Sequence, residues 1–330
     1  MNLYIDKENI EALIGAQKAS LYNECMSTIK KQLSVFFNFS KKDLKANDSL
    51  QSWYMGLSEG VGRDNTFTFM DDDVVPKRPI AANCHSDFTS AKLSAIYLLN
   101  DEHLSNLKNP GAVLVGAPGE ELDVFNRLFL LQKDYDFNKE LLIGSADFST
   151  WQDISKYAMP LTDIIFVDSY ILSDSSLVPS NFIRFLEVMC QSVKCPVNIV
   201  AYVNIKHVPT APSVIRQQVL AAIQNITGHT PAFTLVQYTD QAGVDSLSEH
   251  DRTVVTNYVR IKSGDTYNYF WSDGRKKTKG RELSLMSLAK KANHDLAKKL
   301  VSDLQQNIDY LKANGGKIDG DKRSNFLKLD

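Results

Sequence analysis

From residue 161 onward, short apolar runs alternate with segments of helical periodicity. Residues 163–168 form an apolar run typical of a buried strand, and residues 181–193 carry apolar side chains at helical spacing. Right-handed crossovers between parallel strands place helices on the faces of a sheet, so this order predicts an α/β domain with a mostly parallel sheet. The pattern continues with strands predicted over 197–205 and 233–238 and a helix predicted over 213–226.

A hairpin with a polar opening follows these elements. Residues 253–261 are rich in β-branched side chains and predict a strand, with residues 267–271 as its partner after a Ser-Gly-Asp turn. His250 and Arg252 stand two positions apart, so in a strand they lie on the same face. An imidazole and a guanidinium on one face can converge on one anion. The alternative is that they only open the hairpin, with Arg252 paired to a surface carboxylate.

The spacing His250-x-Arg252-x4-Asn257, followed by Ser263-Gly264, resembles the phospholipase D motif, which is His-x-Lys-x4-Asp followed by Gly-Ser. The order of elements from about residue 160 to 300 is also that of one half of a phospholipase D domain. The resemblance implies that His250 is the nucleophile, that Arg252 binds phosphate oxygens and that Asn257 supports the site. Arginine keeps the positive charge of lysine, whereas asparagine lacks the charge of aspartate. We therefore expect phosphate binding to be retained better than turnover.

Members of this family use two such halves, so that one histidine is the nucleophile and its counterpart the general acid. The sequence has no second His-x-Lys, so a two-part site requires a homodimer. His207, just after the strand predicted over 197–205, is a candidate second imidazole; the alternative is a loop histidine. Asp251 or Asp240 could replace the missing carboxylate, although Asp251 lies on the other face of a regular strand.

A run of cations follows the hairpin, with aromatic residues interleaved. The net charge of the chain is only -2, but binding to a phosphodiester backbone depends on clustered cations more than on total charge. The alternative is an ordinary solvated turn. The predicted phosphate-binding or nucleic-acid-binding residues are Ser263, Arg275, Lys276, Lys277 and Lys279.

The sequence of the N-terminal part predicts helices over residues 10–37 and 43–60. The preferred interpretation is that their apolar faces pack in the core, and the alternative is that they engage a protein partner. Residues 3–9, Leu-Tyr-Ile-Asp-Lys-Glu-Asn, resemble the first strand of PIN-like and NYN nucleases. In those enzymes an Asp and an Asn at the strand end serve a metal site, which implies that role for Asp6 and Asn9. No acidic set downstream pairs with them, and the alternative is that Asp6 caps the helix that follows.

Length and composition allow a full core and predict about two domains, since the chain has 330 residues of which 43% are hydrophobic and 23% charged. The spacing of the four cysteines predicts neither a metal site nor a disulfide framework, and no cofactor is expected. Without a signal peptide or an apolar run of membrane-spanning length, we expect a cytoplasmic protein. The predicted division is a helical N-terminal region (1–75), a joining α/β segment (76–160), a phospholipase D-like domain that ends in a helix over 282–311 (161–314), and a flexible tail (315–330).

Three functions remain open from the sequence. The first is a phosphodiester-binding protein, with nucleic acid as the expected ligand and a degenerate phospholipase D-like site. The second is an active phosphodiesterase or nuclease that works as a homodimer through His250. The third is a non-catalytic scaffold for protein interaction. Analogy at the level of the fold also suggests a role in defence.

Overall fold

The protein has a mixed α/β fold built on two β-sheets. We describe it from a computed structural model. The described residues are 1–18, 22–59, 67–69, 93, 95–98, 114–116, 138–239, 252–277 and 282–330.

The first sheet is parallel throughout, with the strand order β3-β2-β1-β4-β5. The chain builds β2 and β3 on one side of β1 and then crosses to place β4 and β5 on the other. Such a reversal opens a crevice at the carboxyl ends of the two central strands. The strands are β1 (Asn2–Ile5), β2 (Ser34–Phe37), β3 (Phe67–Phe69), β4 (Ala95–Leu98) and β5 (Leu114–Gly116), and the accompanying helices are α1 (Lys7–Gly15), α2 (Tyr22–Gln32), α3 (Lys41–Lys45) and α4 (Asp48–Ser58).

This sheet refines the prediction of a helical or mixed region over residues 1–75, because its described residues form strands β1, β2 and β3 as well as helices. The helical stripe predicted to reach Phe37 ends at Gln32, and Ser34–Phe37 is strand β2. Val35 and Phe37 are buried while Ser34 and Phe36 are partly exposed, which is the two-residue alternation of a strand. Four residues are too few to separate this alternation from the helical pattern that precedes it.

The second sheet is mixed, with the order β13-β9-β8-β7-β10-β11-β12-β6. Strands β7, β8 and β9 are parallel, as predicted, whereas every other neighbouring pair is antiparallel. The prediction of a mostly parallel sheet is therefore wrong for this half of the chain. Its strands are β6 (Asn138–Leu142), β7 (Asp163–Val167), β8 (Asn198–Asn204), β9 (Ala232–Tyr238), β10 (Arg252–Thr256), β11 (Val259–Ser263), β12 (Glu282–Ser287) and β13 (Lys317–Gly320).

The long strand predicted over residues 253–261 is in fact a hairpin. Asn257 and Tyr258 form its turn, and β10 pairs back onto β11 with Arg252 opposite Ser263. Asparagine is favoured in tight turns, a signal that the β-branched residues on both sides obscured. Residues 267–271, predicted to be the partner strand, instead form an irregular segment whose rings of Tyr267 and Tyr269 are fully buried.

Helices cover both faces of the second sheet. On one face of β7, Phe166 packs against the ring of Phe185. On the other face, Ile165 belongs to a cluster with Leu304 and Ile308. The predicted C-terminal helix is shorter than expected, because its first residues form β12. The helices are α5 (Arg184–Cys190, preceded by a π-helical turn at Pro179–Ile183), α6 (Pro212–Thr227) and α7 (Lys291–Ala313), with 3₁₀ helices at Trp151–Tyr157 and Ile205–His207.

The last residues are part of the sheet, which corrects the expectation of a flexible tail over residues 315–330. Strand β13 pairs with β9, and the carboxylate of Asp321 accepts hydrogen bonds from Arg216 (2.6 Å) and from the backbone of Phe233 (2.9 Å). Asp163 accepts further hydrogen bonds from Ser324 (2.9 Å) and the Asn325 backbone (2.7 Å). Among the described residues, no helix is both long and apolar enough to cross a bilayer.

The tail predicts the effect of one substitution. Gly320 has a φ of +108°, and a Cβ atom there would overlap the carbonyl oxygen of Phe233 in the neighbouring strand. We expect Gly320→Ala to lower the free energy of unfolding by about 3 kcal/mol. Gly315→Ala is the matched control, because Gly315 also has a positive φ (+72°) but open space around it, and its cost is about 1 kcal/mol. Urea denaturation measures both, and equal losses would contradict the close approach.

Candidate functional site

Polar side chains meet where the carboxyl ends of β7 and β8 adjoin the start of β10. Thr253 lies opposite Val167 in the register, so Arg252 is beside Asp168, the first residue after β7. On its other side Arg252 faces Ser263, the last residue of β11. We call this boundary of the second sheet the Arg252 edge. Carboxyl ends of parallel strands are the usual place for ligand sites in α/β sheets.

Asp168 is the buried centre of the Arg252 edge. It is 1% exposed and accepts hydrogen bonds from the Tyr170 backbone (2.9 Å), the Thr266 hydroxyl (2.8 Å) and the Tyr267 backbone (2.9 Å). Its Oδ1 also lies 3.9 Å from Nε of Arg252. Burial raises the pKa of Asp168 above its usual range, while the three donors and the charge of Arg252 oppose that rise. The carboxylate therefore holds two loops and the arginine in one arrangement.

Arg252 is held in place but keeps donors for a ligand. Its side chain is 12% exposed, and Nη1 donates to the carbonyl of Gly264 (3.3 Å). The guanidinium carbon lies 5.7 Å from the ring centroid of Tyr170, within the range of a cation–π contact. Within the described residues its Nε has no hydrogen-bond partner but is buried near Asp168, so the donors that a ligand could reach are on the Nη atoms. A guanidinium has five N–H donors, so this side chain can still bind a planar or tetrahedral anion through two hydrogen bonds.

His207 also reaches this edge, through the same tyrosine. Its ring centroid lies 4.3 Å from that of Tyr170, and the Tyr170 backbone carbonyl accepts a hydrogen bond from Asn268 (3.1 Å). The structure thus brings together Arg252 and one predicted second imidazole. His250, Asp251 and Asp240 lie outside the described residues.

Asn257 does not belong to the Arg252 edge. It follows β10 at the opposite end from Arg252, about 16 Å away at about 3.3 Å per residue. It is fully buried, accepts from the backbones of Thr162 (2.9 Å) and Asp163 (3.3 Å), and donates to the Thr162 hydroxyl (3.1 Å). This amide joins the β10–β11 turn to the start of β7. The predicted supporting role at the phosphate site is therefore replaced by a structural one.

Ser263 is opposite Arg252 but is committed to the protein. It is 1% exposed, and its hydroxyl is hydrogen-bonded with the Tyr269 hydroxyl and the Asp265 carbonyl. A side chain so buried has no surface to offer a phosphate. Its contacts instead hold the loop that carries Gly264, the acceptor of Arg252.

The basic turn, which we define as Arg275, Lys276 and Lys277, is exposed. Arg275 pairs with Asp273 (2.6 Å), and Lys276 donates to the carbonyl of Gly144 (3.1 Å). Gly144 follows β6. In the strand register, Leu141 of β6 is aligned with Arg252 of β10 across β12 and β11. The two residues are therefore three strands apart, about 14 Å at about 4.8 Å per strand. Predicted residue Lys279 lies outside the described part of the chain.

A second group of polar residues lies at the carboxyl end of β1 in the first sheet. Asp6 is 3% exposed and accepts a hydrogen bond from Asn38, which follows β2 (2.6 Å). Asn9 in α1 is 1% exposed, and neither of its amide atoms has a hydrogen-bond partner among the described residues. The Asp6 side chain does not cap α1. Over the same residues, no group of three His, Cys, Asp or Glu side chains is placed to hold a metal ion.

Sequence reasoning missed Asp168, Tyr170 and Asn38. The available signal was a polar residue directly after a buried apolar strand, which holds for Asp168 after β7 and for Asn38 after β2. The motif has Asn257 in place of an aspartate and so lacks a negative charge. Asp168 supplies such a charge beside Arg252. Its position follows from strand pairing rather than from sequence spacing.

Comparison with known proteins adds no assignment. No protein-family model matches the chain, and a search of the curated proteins finds no match.

The placement of Asn257 predicts a loss of stability without a loss of binding. Asn257→Ala removes the acceptor of two buried backbone N–H groups, and we expect it to lower the free energy of unfolding by about 2 to 3 kcal/mol. Oligonucleotide affinity of the folded variant is expected to equal that of the parent protein, because Asn257 is remote from Arg252. The exposed Asn314→Ala serves as the control. A selective loss of affinity in Asn257→Ala would restore it to the ligand site.

Proposed function

We propose that the protein binds phosphodiesters, with nucleic acid as the ligand, at the Arg252 edge. The observation that carries this proposal is Arg252 itself, a largely buried guanidinium fixed by Asp168 and Gly264, whose two Nη atoms carry further N–H donors. The exposed basic turn lies on the same side of the sheet, where it can bind further phosphates. The neighbouring Tyr170 limits the motion of Arg252, so little conformational entropy is lost on binding.

We also propose that the second sheet is a phospholipase D-like half domain. Support comes from the succession β7, α5, β8, α6, β9, followed by a hairpin whose first strand begins at the motif arginine. The position of Arg252 beside a carboxylate at a strand end suits a phosphate site. The role of Asn257 is the departure from the family pattern, since this amide is buried in the scaffold.

Binding is the activity that this geometry favours over turnover or a purely structural role. Hydrolysis through His250 in a homodimer requires a nucleophile and a general acid in addition to Arg252. A scaffold for protein interaction requires neither the charge nor the donors of Arg252. Hydrolysis is therefore the first alternative, and a non-catalytic scaffold is the second.

The proposal predicts that Arg252 controls salt-dependent binding. Arg252→Ala is expected to weaken the binding of fluorescent oligonucleotides about tenfold and to reduce the slope of log K against log salt by about one, because one phosphate contact is lost. Arg323→Ala is the control, since Arg323 precedes Ser324 and is therefore at the Asp163 end of the same sheet. Fluorescence anisotropy over a salt series measures both constants.

Three outcomes separate the functions. Loss of binding in Arg252→Ala alone supports the phosphodiester site, and cleavage in the same mixtures that requires His250 supports hydrolysis. Equal affinity of Arg252→Ala and the parent protein contradicts the site and leaves the scaffold function.

A second candidate function, metal-dependent phosphodiester hydrolysis, is favoured by the buried polar group at β1. Mg²⁺ is commonly bound through one or two carboxylates and several waters, so Asp6 with the amide oxygen of Asn9 or Asn38 would suffice as protein ligands. The unpaired amide of Asn9 fits such a site, because a buried amide without partners is costly unless a ligand satisfies it. A divalent cation here would neutralise the charge of a bound phosphate.

Direct metal binding tests this candidate. Titration calorimetry with Mn²⁺ is expected to show a site that is absent in Asp6→Asn and retained in Asp309→Asn, an exposed carboxylate on α7. Oligonucleotide cleavage that follows the same pattern would assign the activity to this edge. Identical heats in the parent protein and Asp6→Asn would exclude Asp6 as a ligand.

A further inference from the structure

Trp271 is the exposed tryptophan of this chain. The sequence has three tryptophans, and Trp53 and Trp151 are 7% and 2% exposed, whereas Trp271 is 42% exposed. The neighbouring rings predicted to interleave with cations are in the core, since Tyr267, Tyr269 and Phe270 are 3% exposed or less. A single exposed apolar side chain is common in proteins, so its surroundings decide what it can do.

The backbone around Trp271 is held in a defined position. Its N–H donates to the carbonyl of Arg275 (2.8 Å), and its carbonyl accepts from Gly274 (2.9 Å), whose φ is +81°. The preceding Phe270 is bound on both backbone groups by the buried side chain of Asn181, at 2.9 and 2.8 Å. The indole is therefore presented on a fixed turn, which limits the entropy lost when a flat ligand binds to it.

One cation lies against the indole, and two more are in the same turn. The ammonium of Lys277 lies 5.1 Å from the ring centroid, and Arg275 and Lys276 are in the same turn. Asp273 offsets part of this charge through its pair with Arg275, but both partners are exposed, and such a pair is weak and screened by salt. Asp174 is the other nearby carboxylate; hydrogen bonds from Ser176 and, to a smaller extent, the charge of Lys277 hold the pKa of Asp174 below its usual value.

We infer that Trp271 stacks on an unpaired base of a single-stranded nucleic acid whose phosphates are bound by the basic turn and Arg252. Aromatic rings that alternate with cations bind single strands because every base has a face for stacking and every linkage a charge. In a duplex the bases are stacked on one another, so their faces are not available. Lys276 of the basic turn contacts Gly144 after β6, at the same edge of the sheet as Arg252, so one strand can reach both cations. This inference rests on the proposed function and specifies its ligand.

Intrinsic fluorescence tests the stacking directly, because the other two indoles are buried. The probes are a single-stranded oligothymidylate, an abasic strand of the same length and a duplex. We expect the oligothymidylate to quench the tryptophan emission of the parent protein and the abasic strand and duplex to leave it unchanged. Trp271→Leu is expected to bind the oligothymidylate about tenfold more weakly and the abasic strand equally well, whereas Trp271→Tyr retains the parent affinity because it keeps a ring.

The results separate this inference from the proposed function. If Arg252→Ala loses binding to all three probes while Trp271→Leu binds as the parent does, the stacking is wrong and the phosphodiester site stands. If quenching depends on Trp271 but affinity is indifferent to Arg252, the stacking stands and the Arg252 site is wrong. Equal quenching by the abasic strand overturns the stacking, as does an emission change with anionic phospholipid vesicles and none with the oligothymidylate.

Discussion

The buried carboxylate of Asp168 is the interaction on which the candidate site depends. One side chain accepts from the loop after β7 and from the segment that follows β11, and it lies beside the guanidinium between them. A carboxylate with so little access to water is stable only because its oxygens have these donors. The same contacts that satisfy the charge also set the position of Arg252. Removal of the carboxylate would therefore affect both loops and the cation at once.

Local patterns in the sequence were sufficient for the parallel centre of the second sheet. Strands β7, β8 and β9 and helix α6 follow from apolar runs and helical spacing, because both faces of these strands are buried. The first sheet could not be found in this way. Its strands have three or four residues each, and β2 directly continues a helical pattern. Strand β13 has only one apolar residue, Ile318, so its place follows from pairing with β9 rather than from its own pattern.

Only part of the site could be predicted, because local patterns do not show which strands pair. Arg252 was identified from spacing within one segment, and the structure places it at a strand end with an imidazole nearby. The motif resemblance assigns Asn257 to the site, whereas the structure puts it in the turn between β10 and β11, at the end of β10 opposite Arg252. Asp168 could not be assigned, since its neighbour Arg252 is distant in the sequence and adjacent only through the pairing of β7 with β10.

The return of the final residues to the sheet has a consequence for how the polypeptide acquires its fold. Asp163 is at the start of β7, and the hydroxyl that binds it belongs to Ser324, 161 positions later. The carboxylate of Asp163 is almost inaccessible to water, so its burial is fully compensated only when that late segment arrives. Contacts between such distant residues slow folding, because a long loop must close before the contact stabilises the chain. During synthesis, β9 would remain an open edge of the sheet until residues 317–320 have been made and pair with it.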